Sequence, residues 1–217
     1  VWLVFTLVLG GFGFARVVRR VRQGTIRSLP ALCLDAGLLY IPVGGIWLVA
    51  DRAAFDLMGF PMLIVVLTAA HFHFAGFAAP IMAGLVGHSL KRHGVTWKLA
   101  AVAAMAGPPV VAAGISISPL VEVLGSVFLA TGMAILAALL IFVLGRGAGG
   151  AARVLMTLSG LSIMATMMMA CLYAVGEFIG LQLIDIPVMI ATHGVANVFG
   201  FTILGMVAFA LRPPDIA

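Results

Sequence analysis

Residues 119–144, PLVEVLGSVFLATGMAILAALLIFVL, carry a single charged side chain, Glu122, in a stretch long enough to cross a lipid bilayer. A hydrocarbon core of about 30 Å takes about 20 apolar residues of helix, because no water is present there to bond open backbone groups. Six more such runs divide the chain, at approximately 1–16, 29–50, 59–87, 97–115, 154–176 and 186–211. The connectors are RVVRRVRQGTIR, DRAAFD, HSLKRHGVTWK, SISP, GRGAGGAAR and EFIGLQLID. Only 9% of the 217 residues are charged and 64% are hydrophobic, whereas a soluble domain carries about 25% charged residues. The expected fold is therefore an all-α membrane protein: one transmembrane domain, 1–217, folded as a seven-helix bundle. The run Val1–Ala15 lacks the charged start of a signal peptide and reads as a first helix that can be cut at its beginning. Pro61 and Pro80 can bend or interrupt the long third run, and Pro108-Pro109 should kink the fourth.

The cations set the orientation. Arg16, Arg19, Arg20, Arg22 and Arg27 follow run one, and Lys91, Arg92 and Lys98 follow run three. Arg146 and Arg153 follow run five, and Arg212 follows run seven. Only Arg52 falls on the other side, so eleven of the twelve cations share one face. Cytoplasmic loops collect Lys and Arg, which places the N-terminus outside and the C-terminus inside. The net charge of +5 is thereby a topology signal, and nucleic acid is not needed as a partner. Asp51, Asp56, Glu122, Glu177 and Asp185 collect at the opposite face. Asp35 alone lies inside a run, where it either snorkels toward Arg27 or serves a site. Cys33 and Cys171 form no CxxC and read as inert thiols.

Two motifs put polar groups at mid-membrane: HFHFAGF, residues 71–77, and THGVANVFGF, residues 192–201. Both lie on helices running from outside to inside. His71 lies about 15 Å beyond Pro61 and His73 about 18 Å, while His193 lies about 10 Å beyond Ile186 and Asn197 about 17 Å, at 1.5 Å per residue. Ionisable groups at such depth face a bundle interior or a wet cavity and mark functional sites. His193 and Asn197, four apart, share a helix face. His71 and His73, two apart, point about 200° around a regular helix. A local π-bulge could bring them together; without one, a single histidine faces His193 and the other meets a different neighbour. The bland alternative is that each histidine only bonds a carbonyl or threonine of the next helix. The expected substrate or proton site is His71, His73, His193 and Asn197 with Thr192. Glu122 and Glu177 would form its outer rim, or else be solvated helix ends. Met164, Met168 and Cys171 share a face that could hold copper, though methionine more often fills gaps in packing.

Aligned without gaps, TAAHFHFAGF (68–77) and THGVANVFGF match Thr68 to Thr192, His73 to Asn197, and Gly76-Phe77 to Gly200-Phe201. Seven helices can then be written as a parallel 3+1+3 repeat, an arrangement some transporters use with the site between the halves.

The two motifs, at this separation in a seven-helix chain, resemble the YndJ-like family of bacterial membrane proteins. The likeness covers essentially the whole chain and rests on His71, His73, Gly76, Phe77, Thr192, His193, Gly194, Asn197 and Gly200. It implies a polytopic membrane protein often labelled a transporter, without naming a substrate or cofactor. A retinal protein is excluded, since helix seven has no lysine for a Schiff base. No Walker-type GxxxxGK[ST] occurs. Five histidines are too few for the boxes of a membrane di-iron desaturase. Two classes remain. One is a small secondary transporter or channel for a small molecule or ion, with the histidine–asparagine site at midplane and no cofactor required. The other is an intramembrane enzyme in which His71, His73 and His193 bind a metal or haem.

Overall fold

The computed structural model describes residues 1–25 and 28–215, and these contain helices and connecting turns without a strand. All seven expected spans are present as helices long and apolar enough to cross a membrane: α1 Trp2–Arg22, α2 Leu29–Arg52, α3 Met62–Ser89, α4 Val95–Ile117, α5 Pro119–Gly147, α6 Gly150–Phe178 and α7 Ile186–Leu211. Successive helices alternate in direction. One face of the bundle therefore gathers the arginine-rich ends, and the other gathers Asp51, Asp56, Glu177 and Asp185. These are called the basic and acidic faces below.

The first helix continues past its apolar run to Arg22. Arginine is a good helix former, and cations in a last turn suit the helix dipole. A specific contact adds to this. Arg16 and Arg20 are one turn apart, and the Nε of each donates to a different oxygen of Asp35, the second at 2.9 Å. Asp35 is fully buried in α2, so this pair of arginines is what satisfies its charge. The sequence-based partner Arg27 lies outside the described residues.

Proline interrupts neither α3 nor α4. Pro61 precedes α3 as its N-cap, and α4 runs unbroken through Pro108-Pro109. Pro80 sits inside α3 just after a π-helical stretch, Phe72–Ala78. Proline has no N–H and its ring crowds the carbonyl four residues back, here that of Gly76. The wider π turn accommodates that conflict without breaking the span. α5 and α7 also contain π stretches, Leu139–Leu144 in the former and Ile190–Gly194 and Ala196–Ile203 in the latter.

Each helix packs on the next except that α3 is more central, touching α2, α4, α5 and α7. The core joins Met82 and Val86 of α3, Trp97 of α4, Leu136 of α5, Ile163 of α6 and Phe209 of α7. Lipid is as apolar as leucine, so membrane helices associate through close packing at small residues. Gly132 of α5 lies against Ala103 and Ala100 of α4, where an added side chain would overlap Ala103. Gly132→Leu is expected to lower stability by about 1–3 kcal/mol, the usual cost of overpacking. Thermal unfolding in mild detergent measures this, and an unchanged midpoint would refute such tight α4–α5 packing.

The α2–α3 and α6–α7 pairs share more than the aligned motifs. Between α2 and α3, Gly37 approaches the Phe77 carbonyl, Gly76 approaches Tyr40, and Gly44 approaches the His73 ring. Between α6 and α7, Ser159 donates to the Phe201 carbonyl, Gly200 approaches Ser162, and Thr166 bonds Asn197. The intervals along both helices are identical in the two sets. These α2–α3 contacts thus recur between α6 and α7, and α3 meets α7 at a seam.

Candidate functional site

His71 ends the regular turns of α3. Its Nδ1–H donates to the Leu67 carbonyl one turn back at 2.8 Å, and its ring is exposed. His73 makes the same kind of bond, from Nδ1–H to the Ala69 carbonyl at 2.7 Å. Its Nε2 accepts the indole N–H of Trp2 at 2.8 Å, with ring centroids 5.7 Å apart. A carbonyl can only accept and an indole N–H can only donate, so the tautomer that fits both contacts carries its proton on Nδ1. Despite the π stretch, the two histidines face different neighbours. The wide turns begin at Phe72, after His71 is already placed by α-helical turns.

The ring facing His71 across the seam is His193, with centroids 6.5 Å apart. Ring nitrogens lie only about 1 Å from a centroid, so the two rings cannot bond each other directly at normal hydrogen-bond lengths of about 3 Å. His193 is half-buried and fully engaged. Its Nδ1–H donates to the Thr166 carbonyl at 2.9 Å, and its Nε2 accepts from the Asn197 amide at 3.0 Å. The Asn197 Oδ1 lies 2.9 Å from the Thr166 hydroxyl, which also lies 3.1 Å from the Ile163 carbonyl.

That hydroxyl has one proton and two acceptors in reach, which gives the network two complete arrangements. With His193 neutral, the Thr166 hydroxyl donates to Asn197 Oδ1, and the Asn197 amide N–H donates to Nε2. With His193 protonated, Nε2–H needs an acceptor. Turning the Asn197 amide over presents Oδ1 to it, and the amide N–H then donates to the Thr166 oxygen. The hydroxyl proton in turn goes to the Ile163 carbonyl. No polar group loses its partner in either state. A buried histidine in apolar surroundings usually lacks this, since an unmatched polar group there costs several kcal/mol.

The remaining sequence-derived residues sit apart from this network. Thr192 donates to its own Val188 carbonyl at 2.6 Å. Glu122 is 6% exposed and packs where Gly114 of α4 comes close, while Glu177 is exposed at the acidic end of α6. Thr166 lies eleven residues before Glu177, about 16 Å deeper at 1.5 Å per residue. Tyr173, Glu177, Gln182 and Asp185 line a cleft at that acidic end. Met168 of the soft-ligand face is 65% exposed, while Met164 packs against the core.

For a metal, the donor geometry is informative. Both nitrogens of His73 and both of His193 have hydrogen-bond partners, leaving Nε2 of His71 as the one of that set without a partner among the described residues. Among the described residues no group of three His, Cys, Asp or Glu side chains is placed to hold a metal ion. Thr166 and Trp2 are the residues that sequence reasoning missed. Thr166 stands between Met164 and Met168, and only the α2–α6 side of the repeat would have drawn attention to it.

Residues 1–201, which include both motifs, match the YndJ-like protein family. The chain belongs to the YndJ-like family. It is 28% identical over 214 residues to the "uncharacterized membrane protein YndJ" of Bacillus subtilis (strain 168). That match covers 98% of this chain but 38% of the relative, so the chain spans well under half of that protein's length. No solved structure matches. The relative's name and the seven apolar helices agree that this YndJ-like chain is an integral membrane protein in contact with the lipid bilayer.

Proposed function

We propose that this membrane domain is a small secondary transporter or channel, with a proton-coupled site where α3 meets α7. The observation that carries the reading is the Thr166–Asn197–His193 network. It accepts His193 in either protonation state with every hydrogen bond kept. Histidine, with a reference pKa of about 6.5, changes charge at modest cost near neutral pH. His71, across the seam with Nε2 unpartnered among the described residues and its ring exposed, is the group through which a proton or small solute reaches His193. The repeat supports the same reading, because transporters built of parallel halves place their sites between them. His73, held by Trp2, acts as a packing residue and not as a ligand. Thr192, Glu122 and Glu177 serve the approach from the acidic face.

The test is proton flux in proteoliposomes containing a pH-sensitive dye, driven by an imposed potassium diffusion potential. Flux should appear and should change between about pH 5.5 and 7.5, around the reference pKa of histidine. Dye signals equal to those of empty liposomes at every pH would defeat the proton-coupled reading.

The orientation belongs to the same proposal: the domain lies in a bacterial cytoplasmic membrane with the basic face inside, following the positive-inside rule. In a background with Cys33 and Cys171 replaced by serine, single cysteines introduced within 51–56 or 179–184 should be labelled by an impermeant reagent added to cells. Those within 17–25 or 146–152 should be protected. The reverse pattern would invert the topology.

A further inference from the structure

The basic end of α1 presents two pairs of arginines on different sides. Arg16 and Arg20 point to α2, where Asp35 takes the Nε of each. Arg19 and Arg22 point away from the bundle and pair with no carboxylate among the described residues. Four guanidiniums share one carboxylate within two turns of helix, leaving a strong local excess of positive charge.

Arg19 and Arg22 border a groove along the outside of α1, lined also by Phe14, Ala15, Val18 and Gln23. Phe14 is 62% exposed and lies about 7–8 Å deeper than Arg19 at 1.5 Å per residue. The groove therefore grades from two free guanidiniums at the basic face to apolar side chains in the bilayer interior. A soluble phosphate would match only its upper end. A molecule with an anionic phosphate at one end and hydrocarbon below it matches the whole.

We propose that this groove is a binding site for an anionic phospholipid. The phosphate lies between Arg19 and Arg22, and an acyl chain runs along Val18, Ala15 and Phe14. Guanidinium suits this role, since its fork of donors matches phosphate oxygens two at a time. Asp35 contributes indirectly: by holding Arg16 and Arg20 against α2, it fixes the rotation of α1 that turns Arg19 and Arg22 outward.

The experiment compares retention of phosphatidylglycerol and phosphatidylcholine by the detergent-purified chain, read by native mass spectrometry. Each arginine near a membrane surface contributes about 1 kcal/mol, so Arg19→Gln with Arg22→Gln should weaken phosphatidylglycerol retention roughly 30-fold. Phosphatidylcholine retention should stay the same. Arg146→Gln with Arg153→Gln, at the basic ends of α5 and α6, should leave both unchanged. Phe14→Ser should weaken retention with the charges intact. Equal losses from the two arginine pairs would show a diffuse basic belt and overturn the site, as would full retention in the Arg19/Arg22 variant. Displacement by millimolar inorganic phosphate would reassign the arginines to a soluble anion and overturn the lipid.

Discussion

His193→Ala is expected to reduce the proton flux of the reconstituted domain by about 100-fold or more, the lower end of what a positioned proton-transfer group contributes. The loss should be specific. His193 makes its bonds to Thr166 and Asn197 between α6 and α7, and removing a polar side chain eases insertion into the bilayer. The variant should therefore reach the membrane at an ordinary level. Asn197→Leu should give a smaller defect, roughly fivefold, since it removes one hydrogen bond of about 1 kcal/mol from Nε2. It also removes the amide that adapts to the second protonation state. His88→Ala, at the basic end of α3, should conduct as the parent does. Flux at the parental level in both His193→Ala and Asn197→Leu would reduce the network to helix packing.

The largest effect on stability is expected at the buried ion cluster. Arg16→Ala with Arg20→Ala leaves Asp35 at 0% exposure without either of its cations. Stranding a buried charge typically costs about 3–5 kcal/mol. Helix α1 lies at the edge of the bundle, packed on α2, and the ion cluster is the polar contact between their basic ends. Its loss should show as a lowered unfolding midpoint and as proteolysis near residues 22–28. Adding Asp35→Asn to the double variant should recover most of the stability, because the neutral side chain is far cheaper to bury. If the triple variant is no more stable than the double, the damage comes from lost arginine packing and not from the stranded carboxylate.

The spans were legible because bilayer thickness imposes a length and composition on every crossing helix, and charge at the ends marks where each stops. Boundaries drifted where polar residues still favour helix, as at Arg16 to Arg22, since hydropathy registers their charge and not their backbone preference. That one histidine of HFHFAGF meets His193 followed from depth and direction; that it is His71 did not. The separation of His71 from His73 followed from their spacing, which the π stretch did not override because it begins one residue too late. Trp2 and Thr166 were not legible. A tryptophan at the start of an apolar run and a threonine among methionines carry no periodic signal, and their roles exist only once neighbouring helices face them. The partner of Asp35 was equally hidden. The sequence reading named Arg27, which lies outside the described residues, and it is the rotation of α1 that turns Arg16 and Arg20 toward Asp35.

The central claim is that His193 changes protonation while Asn197 turns to match it. Solid-state nitrogen-15 NMR of histidine- and asparagine-labelled protein in lipid, recorded across pH 5 to 8, reports both events. The account predicts that Nδ1 of His193 stays protonated throughout. Nε2 should gain its proton as pH falls, and the Asn197 side-chain amide should shift with the same midpoint. A His193 that stays neutral over that range, or that titrates while the Asn197 amide signal stays fixed, would contradict it.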